Sequence, residues 1–443
     1  MSAMRIASSI ASKLAEAWRL IWFQPAPTTP LEFARIGLGA AMFCHYALAT
    51  PHLAEFWGDA GWMPRALLAT ETASDPLYQS LLFFVSAPWQ LTAFHFVFLA
   101  CCLALMLGWR TPLVKWLVLI AQISLDHRNP MFLYGVDKIL AALLFILCLA
   151  PIGRALSLDR VRAVRAAKRA DLAATLPPFQ SEWTGACTRL MQVQMAVLFF
   201  YSAVAKAGED WRYGDAVWAV FTTDEHFSPF ILGIFASHYW LVNLATYGTL
   251  FIELAFPFLV WQRVTRPFLL AGAMFLHLQF AVLMGLFYFS FVMMTGHMSF
   301  VRPEWLAHLG AWWKRARGDM EMIYDGRCSF CIRSMAWFLA FDGLSQIRVR
   351  DFRRNPSPLV ADAQLEKALY LVLPDGRALP GFEAYRYVVL RVPGLWWQVP
   401  FFYVPVASRL IGVPLYNWIA ANRGKLSSFL RAAPQPQHQE GAT

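Results

Sequence analysis

The sequence predicts a polytopic α-helical membrane bundle of about eight transmembrane helices, followed by a C-terminal α/β domain that carries a thiol pair. Three observations lead there. Of 443 residues, 58% are hydrophobic and only 15% charged, a balance that suits a lipid-facing surface and not a water-facing one of this length. Long apolar segments recur through the first two thirds of the chain. After residue 318 they give way to short alternating segments around YDGRCSFCIRSM, residues 324–335. The net charge of +10 does not imply a nucleic-acid partner, because the basic residues fall in short runs between apolar segments, where they orient helices and meet anionic lipid headgroups.

Residues 1–30 read as an amphipathic helix in the membrane surface: Ile6, Ile10, Leu14, Trp18 and Trp22 recur every four residues, with Arg5, Lys13 and Arg19 among the polar positions. A cleaved signal would need an unbroken apolar run and a small-residue cleavage site, and this stretch has neither; its Arg, Ser and Ala content also fits an organelle transit peptide. The bundle is expected over 31–310, with apolar segments near 31–50, 89–108, 112–126, 137–152, 187–205, 239–262, 268–285 and 287–301. Gly285 offers a turn between the last two. Basic residues concentrate in alternate loops, above all from Arg154 to Arg189, so the expectation is an integral, multi-pass protein with both termini cytoplasmic.

Over 319–430 the segments EMIYDG, IRVRDF and LYLVLPDG read as strands and CSFCIRSMAWFLAF as a helix. A strand, then Cys-x-x-Cys at a helix start, then alternating strands and helices is the pattern of a thioredoxin-like α/β domain. The apolar stretch from Pro393 to Leu430 is expected to pack on that domain or on the membrane surface, a ninth span being the alternative. Residues 431–443 read as a disordered tail.

Of seven cysteines only Cys328 and Cys331 form a motif; Cys44, Cys101, Cys102, Cys148 and Cys187 lie in or beside apolar segments and read as small hydrophobes. At the first turn of a helix, unpaired N–H groups and the helix dipole stabilise a thiolate, and Arg327 adds a neighbouring cation. Cys328 is therefore the expected attacking thiol and Cys331 the resolving one, together a redox-active disulfide whose partner is a thiol-containing protein or a small thiol. Zinc needs a second pair of ligands, and no second Cys-x-x-Cys or His-x-x-x-His exists, so no metal is expected. A purely structural pair is the remaining alternative. YDGRCSFC resembles the opening of the DCC family of thiol-disulfide oxidoreductase-like proteins, which Asp325, Cys328 and Cys331 match residue by residue. The resemblance covers about 319–420 and implies a thioredoxin-like fold; Pro380 is the candidate for a cis-proline opposite the thiols.

Ionisable groups inside apolar segments are costly and raise functional hypotheses. They are Arg35, His45, His95, Glu253 and His277, with Asp126, His127, Arg128, Asp137 and Lys206 near helix ends. The bland account is internal pairing, for example Arg35 with Glu253. The stretch YSAVAKAGEDWRYGDAV, however, resembles one in the vitamin K-dependent gamma-carboxylases and their bacterial relatives, the horizontally transferred transmembrane domain proteins, with Lys206, Trp211 and Gly214 in matching places. A second block agrees at His277, at Phe289 to Met293 and at Pro303 to Trp305, so the resemblance spans roughly 30–310. It implies that Lys206 is the base that deprotonates a lipid-soluble quinol, a role that burial of its amine would favour and that Glu209 and Asp210 would oppose if close. A third block, NPMFLYG, keeps Asn129, Leu133, Tyr134 and Gly135 but has Pro130 where the family has a histidine. Proline cannot do imidazole chemistry, and glutamate carboxylation does not carry over with that residue; His127 is the nearest imidazole.

These readings combine into a membrane redox protein in which a carboxylase-like bundle, acting on a quinone-type compound, is fused to a thiol-disulfide domain. The alternatives are a carboxylase or epoxidase whose quinone the thiol domain recycles, and a non-catalytic membrane scaffold. On this map Lys206 lies outside and Cys328 inside, so any joint reaction needs a carrier between the two faces.

Overall fold

The computed structural model describes residues 2–72, 75, 78–223 and 225–429; the expected disordered tail lies outside the described residues. The chain divides into two compact units, one of residues 1–159 and 178–302, the other of 160–177 and 303–443.

The first unit is helical. An amphipathic helix, α1 (Ser2–Trp22), precedes α2 (Thr29–Ala49), α3 (Pro88–Leu107), α4 (Thr111–Arg128) and α5 (Gly135–Leu149). Helix α6 (Leu158–Ala170) leads into the second unit, and the bundle resumes with α7 (Glu182–Ala205), α8 (Trp240–Leu259), α9 (Arg266–Met284) and α10 (Phe287–His297). Gly285, in the left-handed conformation, ends α9 and separates it from α10. Large apolar side chains such as Leu48, Phe251 and Phe268 stand two-thirds or more exposed on these helices, a surface suited to lipid rather than water.

Helices cover each of the eight apolar segments, but only α3, α8 and α9 are long and apolar enough to cross a membrane by themselves. The bent pair Pro393–Tyr403 and Pro405–Ser428 would make a fourth if it acts as one span. Length limits α5 and α10, whose 15 and 11 residues reach only about 22 and 16 Å at 1.5 Å per residue, against roughly 30 Å of hydrocarbon. Buried charge limits α2 and α4.

That charge is organised. Arg35 donates to Glu32 at 2.7 Å and to the carbonyls of Leu105, Met106 and Leu156 at 2.5–2.7 Å, and both side chains are wholly buried. Glu32 in turn accepts from the N–H groups of Gly153, Arg154 and Ala155. The pair thus holds the end of α3 and the 153–156 turn against the start of α2. Only glycine fits at 108: its φ is +69°, and a Cβ there would lie 2.4 Å from Ser157 and 3.0 Å from the Arg35 guanidinium. The expected partnership of Arg35 with Glu253 is therefore corrected, since Arg35 has a carboxylate one turn away on its own helix.

The second unit contains α11 (Pro303–Arg317) and then β1 (Met320–Tyr324), α12 (Ser329–Phe341), β2 (Ile347–Asp351), β3 (Tyr370–Val372), β4 (Ala378–Pro380), α13 (Gly381–Arg391) and, finally, α14 (Val413–Phe429). The sheet order is β2-β1-β3-β4, with β1 parallel to β2 and antiparallel to β3, and β3 antiparallel to β4. A parallel pair needs a crossover, and α12 supplies it. Strand β1 is central and apolar on both faces: Met320, Met322 and Tyr324 enter one core with Ile332, Met335 and Ala336 of α12, while Ile323 enters the other with Phe352 and Leu365. Pro380 closes the edge strand β4, where no further ladder needs its missing N–H, and its peptide bond is trans, against the expectation of a cis bond there.

Removing one member of the Glu32–Arg35 pair should leave an uncompensated buried charge. Arg35→Met is expected to lose about 3–5 kcal/mol of stability, and the double change Glu32→Gln/Arg35→Met clearly less, as read from thermal unfolding of the full chain in detergent.

Candidate functional site

The turn between β1 and α12 places the thiols. The Cys328 N–H donates to the Asp325 carbonyl at 3.1 Å, and the Arg327 N–H to the Asp325 carboxylate at 3.0 Å. Gly326 makes the turn possible: its N–H donates to the Asp351 carboxylate at 3.0 Å, so close that a Cβ at 326 would stand 2.0 Å from that carboxylate. Asp325 itself is held by Arg353 at 3.3 Å, and Arg353 also binds Glu366 at 2.8 Å.

Cys328 is the N-cap of α12. Its sulfur accepts from the Cys331 N–H at 3.2 Å, and the Ser329 N–H donates to the Ser427 hydroxyl at 2.8 Å. Two of the donors that a helix start leaves unpaired therefore end on side chains of this site. The Cys328 thiol is lowered to about 6, chiefly by the Cys331 thiol hydrogen-bonded to it, with the Cys331 N–H and Ser427 adding to the effect; burial and Asp325 act against it. The same bond pushes the Cys331 thiol up, burial reinforces that, and Arg423 opposes it. The expected cation, Arg327, lines the opening over Cys328 but takes no part in lowering its thiol; the opposing charge in the site comes from Arg423 instead, and it acts on Cys331.

Arg423 and Ser427 belong to α14, nearly a hundred residues beyond the thiols, and sequence reasoning missed them. A signal existed. Tyr416, Ile419, Ala420, Arg423 and Ser427 recur at intervals of three and four, one face of a helix that turns from apolar to polar towards the thiols. Tyr416 and Tyr385, both half-buried, line a small cavity beside Cys331.

In the first unit, Lys206, Glu253 and Trp211 come together. Lys206 caps the end of α7, and its Nζ lies 2.7 Å from Glu253 of α8, 2.5 Å from the Ser202 hydroxyl and 5.3 Å from the Trp211 ring centre. The carboxylate that reaches the lysine is thus Glu253, rather than Glu209 or Asp210. His277 is buried among Phe199, Phe280, Phe289 and His297, and neither ring nitrogen has a protein hydrogen-bond partner. Arg128 and Asn129 do other work: Arg128 donates to the carbonyls of Met63 and Gly58, and Asn129 to that of Phe56, which fastens the 56–63 loop to the end of α4. Tyr134 is exposed and offers its N–H to Asp137 at the start of α5. No hydrogen bond or ion pair joins these three to Lys206 or Glu253 among the described residues. Nor do these residues include a group of three or more His, Cys, Asp or Glu arranged to hold a metal ion.

The thiol geometry has a pH consequence. The Cys328 thiolate fraction should rise as pH climbs through about 6 and level off by neutrality, so that iodoacetamide labelling reaches its plateau well below the pH a free cysteine needs. Ser427→Ala should move that midpoint upward, because it removes a donor to the sulfur.

No curated protein and no solved structure gives a significant match. Two family models do. A DCC1-like thiol-disulfide oxidoreductase model matches residues 322–429 and an HTTM domain model matches residues 23–305. The chain is a membrane protein that belongs to the HTTM-domain family and carries a DCC1-like thiol-disulfide oxidoreductase domain behind the HTTM domain.

Proposed function

We propose that this protein is a membrane-bound thiol-disulfide oxidoreductase, with Cys328 as the attacking thiol and Cys331 as the resolving one. The observation that carries the reading is the Cys328 sulfur at the start of α12, accepting from the Cys331 N–H. The sheet order supports it, because a helix crossing between parallel strands, with the thiols at its first turn, is what a thioredoxin-like domain requires.

The exchange runs in two displacements. The Cys328 thiolate attacks one sulfur of a partner disulfide; that S–S bond breaks, a mixed disulfide forms and one partner thiolate leaves. Cys331 then gives up its proton and attacks Cys328, closing the Cys328–Cys331 disulfide and releasing the second partner thiolate. Two electrons pass to the partner. Asp325 and its Arg353 clamp hold the turn that aims the sulfur, and Arg423 favours the Cys331 thiolate when its turn comes.

For the HTTM bundle we propose a second role, the handling of a proton on a lipid-soluble, quinol-type compound by Lys206 with Glu253. The lysine is ion-paired, so it must leave Glu253 or Ser202 to meet a substrate, and Glu253 at 2.7 Å can take up or return the proton as it does so. Trp211 and the buried His277 complete the set carried over from the family. Carboxylation is not part of the proposal: Pro130 starts a short turn, and Arg128 and Asn129 beside it are committed to loop carbonyls.

Cys331→Ser should trap a mixed disulfide through Cys328, visible as a mass adduct that a reductant removes. With both termini cytoplasmic, an impermeant maleimide should reach Cys328 in inside-out vesicles and not in right-side-out ones. No adduct, or labelling from the outer face alone, would sink the reading. For the bundle, Lys206→Met is expected to abolish quinol-dependent oxygen uptake and Glu253→Gln to slow it by about tenfold to a hundredfold, with thiol exchange unaffected; wild-type uptake in Lys206→Met removes the lysine from the reaction.

A further inference from the structure

An apolar cavity of the second unit is separate from the thiol opening. It measures about 520 Å³, within the range of small-molecule sites, and lies between α12, the α6 segment and the bent helices that follow α13. Trp337, Phe338, Phe402 and Tyr416 form much of its wall. Arg165, Arg169 and Arg333 line it as well, and none of its lining residues is acidic among those described.

Arg165, half-buried, and Arg169 stand one turn apart on α6, and an anion between them would offset their like charge. The Arg165 Nε is buried and has no hydrogen-bond partner. Burial, then Arg169 and Arg333, lowers the Arg165 guanidinium, the effect of like charges crowded at one place. Part of the lining is apolar and open. Phe401, Ile411 and Leu415 face the cavity yet remain more than half exposed, on the same bent helix pair whose hydropathy is that of a membrane segment.

From this lining, guanidinium groups together with an aromatic and partly open apolar wall, we infer that the cavity binds an amphiphile with an anionic head and a single apolar chain or ring system. The head sits against Arg165 and Arg169, where a phosphate or carboxylate meets paired N–H donors, and the chain lies along the aromatic wall towards the exposed flank. Phe330 and Ser334 of α12 line both this cavity and the smaller one that contains Cys331, so the occupant rests one layer of side chains from the resolving thiol. A membrane lipid and a free acyl anion share this chemistry. Binding of this kind does not depend on thiol exchange.

The test uses the full chain in maltoside micelles with hexadecyl phosphate as probe, hexadecanol as the headless control and inorganic phosphate as the tailless one. Expected is saturable binding of one hexadecyl phosphate per chain, weakened roughly tenfold or more in Arg165→Gln/Arg169→Gln, with hexadecanol binding weakly and equally to both proteins. The Cys328 labelling rate reports whether the variant is folded. Should the double variant fail that check, Leu415→Glu, which places an acid on the exposed wall, is expected to weaken the probe to a similar degree. Competition by lysophosphatidate in nanodiscs identifies a membrane lipid as the source, and competition by soluble palmitate alone a free acyl anion; either supports the site. Non-saturable partitioning, wild-type affinity in a folded variant, or equal competition by inorganic phosphate overturns it.

Discussion

A polar group taken out of water has to find a partner, and both units are built around that constraint. In the bundle, Glu32 and Arg35 neutralise each other, and their remaining donors and acceptors go to the backbone of the α3 end and the 153–156 turn. That one buried network ties together three stretches that lie up to about 120 residues apart, which apolar contact alone does not do with the same specificity, because lipid-facing helices gain nothing from hydrophobic burial against one another. Lys206 and Glu253 repeat the logic between α7 and α8. In the second unit the groups needing partners are the N–H donors at the start of α12, and a sulfur answers them.

The electrostatics of the thiol pair follow from that role. A sulfur that accepts from a backbone N–H and from a neighbouring thiol is stabilised in its charged form by hydrogen bonds rather than by a nearby cation. The same bonds make the two thiols unequal, with Cys328 lowered and Cys331 raised. An asymmetric pair of this kind has a defined order of attack, first the thiol at the helix start and then the one a turn further along. Gly326, squeezed against Asp351, and Asp325, clamped by Arg353, spend their hydrogen bonds on holding the turn.

The two units put a half-buried lysine and a buried thiol to contrasting ends. The lysine is matched by a carboxylate at 2.7 Å and can act only by leaving it, whereas the thiol is already in the state its chemistry needs.

Local patterns in the chain determined a good deal. The apolar runs located the helices from 29 to 297, and Cys-x-x-Cys after a short apolar strand located the redox turn, since periodicity and helix-start chemistry act over a few residues. The partner of Arg35, three positions back on the same helix, is equally a local feature of the chain. Tertiary structure decided the rest. Which carboxylate meets Lys206, 47 residues away, and which helix brings Arg423 and Ser427 to the thiols depend on how elements pack. Arg128 and Asn129 likewise reach the 56–63 loop only through packing. Sequence motifs say which chemistry a residue can perform, and only packing supplies the long-range neighbour with which it performs it.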